Sequence, residues 1–345
     1  MEKLCVDDTA VLATFSQMCA EQGLLQRPSG LKDGDVSDGI NDKTTLLRFL
    51  QARKMNNADA VEQFQKATKF HADKKALPLY DLISIDEYED TRKLYPHWTG
   101  RRDKRGLPIL MIDAAHLNHA AMVEWRRTRT ITPSSPDGPA PSADMAQRAL
   151  VFHDGLTRFV LPLCTAMTDR PGPLVPVTNS VYLVNASCIS LKQGWDLKDF
   201  AQDVSWILAT CYPETIDRIF VCNVSSYIIT IWGVLRKFVD PVTAEKIVFL
   251  KATDVSPTLE KYIDPKNIPS QLGGHFTFTN GMLPDLDAGI RKALHWTAAS
   301  DGSGTVGLPP GPIKWVTDER GRREAVATGS VDGLQRTEKV AALGS

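Results

Sequence analysis

Residues 211–252 constrain this chain more than any other stretch. They run CYPETIDRIFVCNVSSYIITIWGVLRKFVDPVTAEKIVFLKA and read as a strand, a very apolar helix, a short helical turn opened by Asp240-Pro241, and a second strand. Polar side chains stand at the joints: Glu214, Asp240, Thr243 and Lys246. A greasy segment beside a few charged groups suits an amphipathic molecule, and the rest of the chain can be weighed against that idea.

The flanking patterns define a fold class. Residues 8–22, 44–54 and 58–71 repeat apolar groups at helical spacing, as in Leu46, Leu47 and Leu50, so the chain begins as a small helical domain. From Pro108 the character changes. Near-continuous apolar runs at 108–113, 180–185, 218–224 and 247–251 alternate with helical segments at 145–161 and 196–211. That alternation predicts an α/β fold whose sheet is mostly parallel and covered by helices. The expected organisation is a helical domain over 1–94, an α/β domain over 95–280, and a C-terminal helix and disordered tail over 281–345. The Pro-rich insertions 132–143 and 169–176 read as mobile loops, and the Gly-, Arg- and Thr-rich tail from about residue 298 reads as disordered.

Composition excludes some classes. A formal net charge of −1 over 345 residues offers no general attraction to nucleic acid. The best candidate for a membrane span, the charge-free run 219–235, is short for a bilayer and carries Asn223, Ser225 and Ser226 near its middle. With no signal-like N-terminus and six scattered cysteines, the expectation is a cytoplasmic protein with peripheral contact to intracellular membranes.

The enzyme motifs are weak. Gly302, Gly304 and Gly307 make a formal GxGxxG, but no strand precedes it and Leu308-Pro309-Pro310 follows, whereas a dinucleotide site needs a strand and a helix there. There is no GxxxxGK[ST], HExxH or GxSxG, and His116 and His119 find no further metal-ligand partner. No metal, cofactor or catalytic residue is expected.

Two readings of the joints stay open on the residues alone. Asp240 before Pro241 has the form of a capped helix start. Thr243 and Lys246, three apart, share a face of that turn, where a hydroxyl, an ammonium and free amides can grip a phosphate. A capped turn with a surface lysine also explains them, with Glu214 a solvated loop residue and Arg53 a solvated helix face, and for a lone pair of this kind it is the stronger reading. Residues 227–239 likewise suit a buried core helix first and a helix over a lipid cavity second.

The order of motifs shifts that balance. LLRFLQARK, YPHW…RGLPI, NASCISL, CYPETIDRIFVCNV, FVDPVTAEKIVFL and IPSQLGGHF follow one another as in the CRAL-TRIO lipid-binding family, and most resemble its secretory-pathway phosphatidylinositol/phosphatidylcholine transfer proteins. The resemblance spans roughly residues 43–276. It implies an N-terminal helical tripod and an α/β domain whose sheet floors a hydrophobic lipid pocket. A gate helix at 226–239 would close that pocket, with Tyr227, Ile228, Ile231, Trp232, Leu235 and Phe238 on it and Gly273 and Gly274 as hinge. Arg53, Glu214, Asp240, Thr243 and Lys246 would hold the phosphatidylinositol headgroup. Thr215 departs from the basic residue usual beside that site. The second-ligand pocket falls at Thr99, Leu110, Ser180 and Tyr182, where the family uses two tyrosines, a serine and a threonine for phosphatidylcholine. Only the serine survives, so a sterol or another hydrophobe is the alternative cargo.

The function this implies is transfer of phosphatidylinositol in exchange for a second hydrophobic ligand. Bound phospholipid takes the place of a cofactor, and the partners are membrane phospholipids and a phosphoinositide kinase rather than nucleic acid. A lipid sensor presenting phosphatidylinositol to such a kinase, a carrier of sterol, and a cytosolic α/β enzyme are the alternatives.

Overall fold

The computed structural model describes residues 6–129, 131, 142–225, 227–297 and 307–344. Five helices come first: α1 (Val6–Glu21), α2 (Lys43–Ala52), α3 (Asn57–Asp73), α4 (Ala76–Leu82) and α5 (Ile85–Arg92). Side-chain caps set two of the starts. Asp42 accepts from the Thr44 N–H, and Asn56 accepts from the Ala58 and Asp59 N–H groups. Phe15, Phe49 and Phe64 then lock α1, α2 and α3 edge to face.

The central sheet has the order β1 (His97–Arg102), β2 (Pro108–Asp113), β3 (Ser180–Asn185), β4 (Ile216–Cys222) and β5 (Ile247–Leu250). β1 runs antiparallel to β2, and the remaining pairs are parallel. The α/β, mostly parallel expectation holds. Between β2 and β3 lie α6 (His119–Arg129), α7 (Met145–Gly155) and α8 (Leu161–Ala166), with a π-helical turn at Leu156–Val160 joining α7 to α8. α9 (Leu191–Asp196) and α10 (Lys198–Cys211) cross from β3 to β4. α11 (Ile228–Leu235), a 3-10 turn at Arg236–Phe238 and α12 (Pro241–Glu245) cross from β4 to β5, and α13 (Ala252–Leu259) follows. Parallel registry lines up Leu110, Tyr182, Ile219 and Ile247 in one cross-strand row. Ile112, Val184, Val221 and Phe249 form the next row on the same face.

The tail requires a correction. After α14 (Ala288–Ala293), strands β6 (Leu294–Trp296), β7 (Ile313–Thr317), β8 (Arg323–Ala327) and β11 (Glu338–Leu343) form a four-stranded antiparallel sheet in the order β6-β11-β8-β7. A small hairpin, β9 (Ser330–Val331) and β10 (Leu334–Gln335), sits between β8 and β11. Residues 307–344 are therefore structured rather than disordered, because this sheet shares the main core. Trp315 is 1% exposed, stacks on Phe159 and donates its indole N–H to the Phe159 carbonyl at 3.1 Å. Lys314 reaches Asp35 and Asp81, which ties the sheet to the N-terminal loop and α4.

The two insertions fare differently. Most of 132–143 lies outside the described residues. The 169–176 turn is pinned, not mobile: buried Arg170 donates to the carbonyls of Cys164, Thr165 and Val175. Gly302 and Gly304 of the formal glycine motif lie outside the described residues. No helix among the described residues is long and apolar enough to cross a membrane.

Candidate functional site

Arg53, Glu214, Asp240, Thr243 and Lys246 all line one open cleft of about 540 Å³. Three elements bring them there. Arg53 is the C-cap of α2. The next two residues, Lys54 and Met55, take φ of 51° and 64°, and the chain then turns into α3. Arg53 Nε donates to Gln63 Oε1 at 2.8 Å, and Gln63 Nε2 donates to the Ala209 carbonyl at 2.7 Å. The 5%-exposed Gln63 is thus a bracket that fixes the arginine against α10.

Glu214 projects from the α10–β4 turn with φ of 56°, a left-handed backbone that costs a non-glycine residue roughly 1–2 kcal/mol. Thr215 secures that turn. It is 1% exposed, its hydroxyl donates to the Tyr212 carbonyl at 2.7 Å, and its own carbonyl accepts from the backbone and hydroxyl of Ser180. Thr215 also lines the cleft, where it brings a hydroxyl already engaged within the turn instead of a cation.

On α12, Asp240 Oδ1 accepts from the Thr243 N–H at 3.0 Å, and the Asp240 N–H donates to Ser205 Oγ at 2.8 Å. The cap is as expected, and it engages the Thr243 amide, which is therefore not free for an anion. Lys246 Nζ lies 2.8 Å from Glu214 Oε2, with the two side chains 21% and 27% exposed. Such a pair is held weakly enough by water-screened attraction to open for a ligand. Opened, it presents an ammonium to an anion and a carboxylate to hydroxyl donors.

α11 packs beside this cleft, against the sheet. The Trp232 ring sits 5.6 Å from that of Phe249 on β5, Ile228 is buried, and Lys198 lies over the half-buried Phe238. Tyr227 is 37% exposed and donates its hydroxyl to the Ile189 carbonyl at 2.6 Å. Thr230 and Gly233 are also exposed, so the helix has a solvent face and is not a fully buried core helix. Ser226 and the side chains of Ile231 and Leu235 lie outside what the structure describes. Gly273 and Gly274 form a tight turn after the 3-10 segment Ser270–Leu272. Gly273 has φ of 90°, and a Cβ on Gly274 would fall 2.1 Å from the Ile268 carbonyl oxygen.

A family model described as the CRAL/TRIO domain matches residues 92–274, over half of the chain. The chain belongs to the CRAL/TRIO family. Among curated relatives, a SEC14 cytosolic factor from Candida glabrata is 25% identical over 291 residues, covering 78% of this chain and 87% of that protein. The phosphatidylinositol/phosphatidylcholine transfer protein SFH11 of Arabidopsis thaliana is 25% identical over 276 residues, covering 76% and 67%. A crystal structure of Sfh5 has the same fold, with a TM-score of 0.55 at 11% identity, covering 81% of this chain and 91% of that one.

Within this CRAL/TRIO fold the four second-ligand positions do not form one polar set. Leu110, Ser180 and Tyr182 are buried in the sheet, with Leu110 and Tyr182 directly paired. The Thr99 hydroxyl is engaged by the Ile109 carbonyl and that of Ser180 by the Thr215 carbonyl. Tyr182 keeps a buried hydroxyl without a hydrogen-bond partner among the described residues, and burial pushes its pKa up to about 12. Sequence reasoning also missed Gln63, Ser205, Lys66 and Trp206 around the cleft. Of these only Gln63 leaves a trace, a polar residue on the apolar stripe of α3.

Proposed function

We propose that this CRAL/TRIO protein binds phosphatidylinositol and exchanges it between membranes for a second hydrophobic ligand, without catalysing a reaction. One observation carries the reading: Arg53, remote in sequence from the rest, shares a single cleft with Glu214, Asp240, Thr243 and Lys246. Similarity to the phosphatidylinositol/phosphatidylcholine transfer protein SFH11 supports the same class of ligand.

In this reading the lipid phosphate displaces Glu214 from Lys246 and takes the ammonium together with the Thr243 hydroxyl. Glu214 then accepts from inositol hydroxyls, Asp240 keeps the Thr243 backbone in place, and Arg53 neutralises the site from the helical side. The acyl chains lie on the apolar sheet rows beneath α11, which acts as gate, and the Gly273-Gly274 turn is its hinge. Lipid leaving a bilayer loses about 0.8 kcal/mol per exposed methylene. An apolar enclosure returns most of that, so exchange runs near neutral and headgroup contacts decide the cargo. Thr99, Leu110 and Tyr182 do not supply a choline-binding set, so the second ligand is a sterol or another hydrophobe in preference to phosphatidylcholine. The protein works in the cytoplasm, touching membranes peripherally.

Mass spectrometry of lipids extracted from the purified chain, coupled to a vesicle transfer assay, tests this. Phosphatidylinositol should dominate the bound phospholipid and move between vesicles. Stoichiometric binding with stimulation of a phosphoinositide kinase but no transfer would favour the presenting role instead. Absence of bound phosphatidylinositol would remove the reading.

A further inference from the structure

A second cavity, of about 580 Å³, shares only Tyr212 with the headgroup cleft. It lies among α2, α3, the start of α4 and the loop before α2, and its volume is typical of small-molecule sites, which run roughly 300–1,000 Å³. Its wall is largely apolar. Buried Phe49, Phe64 and Ala67 make the floor, and half-buried Ile40, Leu77 and Pro78 make the sides.

The charged residues that line it are His71, Lys75 and Asp154. Lys75 stands exposed between α3 and α4, in a left-handed backbone conformation with φ of 52°. The acidic side chains near it are taken, since Lys69 pairs with Asp73 and Lys74 with Asp144. The Lys75 ammonium itself has no hydrogen bond or ion pair among the described residues. Asp154 does not offset it. The Asp154 Oδ1 accepts from the Tyr212 hydroxyl at 2.7 Å and lies 3.2 Å from His71 Nε2, and its Oδ2 is sealed from solvent. Burial pushes this carboxyl's pKa up, yet the His71 and Arg158 cations bring it below its ordinary value. Burial likewise opposes charge on the His71 imidazole, and Asp154 outweighs it, holding that pKa well above its ordinary value. Arg158 is buried behind them, 4.4 Å from the centre of the Tyr80 ring. Three cations, His71, Arg158 and Lys75, thus stand against one carboxylate at and behind the cavity wall.

An apolar enclosure with a positive balance of charge at its mouth suits an apolar body carrying an anionic head. We propose that this cavity binds a single-chain amphiphile with an anionic head, of the fatty carboxylate class. The chain lies on Phe49, Phe64 and Ala67, and the carboxylate meets the Lys75 ammonium at the mouth. A head held at an exposed lysine keeps part of its hydration, so binding buries the chain without burying the charge. This site is independent of the headgroup reading.

Isothermal titration of the full chain with decanoate and with decyltrimethylammonium, which carry similar chains and opposite head charges, tests it. Decanoate should bind roughly five- to tenfold tighter, since the same cation at the mouth attracts one head and repels the other. Lys75→Glu, at an exposed position, should reverse that preference and weaken decanoate binding by about fivefold. Ala72→Trp obstructs the mouth from an exposed position that lines the cavity, and should weaken both amphiphiles by about tenfold. Lys246→Ala, in the other cleft, should leave decanoate binding unchanged. Circular dichroism establishes that each variant is folded, and should Ala72→Trp fail to fold, Lys75→Glu decides alone. Equal wild-type affinity for the two amphiphiles, loss of decanoate binding in Lys246→Ala, or undiminished decanoate binding by folded Lys75→Glu or Ala72→Trp protein would overturn the assignment.

Discussion

Lys246 and Lys314 each meet a carboxylate at 2.8 Å, yet the two contacts sit in opposite surroundings. Lys246 and Glu214 keep 21% and 27% of their side chains exposed at the rim of the cleft. Lys314, Asp35 and Asp81 keep 5%, 3% and 3%, sealed between the C-terminal sheet, the N-terminal loop and α4. A screened pair adds little to stability and can be parted by a competing ion. A desolvated one holds its place because either partner left alone would be a buried, uncompensated charge. The same two functional groups therefore make a screened, separable pair in one region and a desolvated tie in the other, and burial is what differs between them.

The largest effect is expected at the tie. Lys314→Ala leaves Asp35 with the Lys32 N–H and Asp81 with the half-exposed Lys32 ammonium as their remaining partners, and should cost about 3–5 kcal/mol in urea unfolding. An unchanged midpoint would mean that the C-terminal sheet is not bound to the helical region in the way described.

Burial also sorts the histidines, with a somewhat smaller effect. Burial lowers His97 and His153 to about 4, helped at His97 by the nearby Arg92 cation. His97 makes this concrete. Its Nδ1 donates to the Tyr95 carbonyl, and its Nε2 accepts from the Gly281 N–H at 3.2 Å, so a second proton has nowhere to go. A base with a depressed folded pKa binds fewer protons folded than unfolded. Its contribution is complete above about pH 6.5 and is lost as pH falls toward 4, roughly 2–3 kcal/mol for each histidine. His71 has the opposite sign: its contribution is complete below about pH 6.5 and fades as pH rises through its raised folded pKa. Stability measured from pH 7 down to pH 4 should fall, and His97→Gln should flatten that fall. A wild-type curve level across this range would contradict the assignment of neutral buried imidazoles.

Much of this was legible in the sequence. The parallel strands announced themselves as apolar runs and the cap at Asp240 by residue type, whereas the grouping of Glu214, Asp240, Thr243 and Lys246 with Arg53 was legible only through the order of family motifs. What stayed hidden depends on remote partners. The strands around Trp315 are short and interrupted by the Arg320–Arg323 turn, and their burial comes from Phe159, Asp35 and Asp81. Local pattern carries no record of those neighbours, so the segment read as disordered. Gln63 and Ser205 were missed for the same reason, since a glutamine on a helix declares its role only once Arg53 and Ala209 are beside it.

The smallest effect on stability and the clearest on function are expected at the screened pair. Lys246→Ala should shift unfolding by no more than about 0.5 kcal/mol, as for an ordinary surface substitution. Phosphatidylinositol transfer between vesicles by this variant is the most direct test of the proposed function. Transfer should be abolished while the unfolding curve stays at the wild-type position. Wild-type transfer rates from a folded Lys246→Ala protein would contradict the proposal that this cleft holds the headgroup.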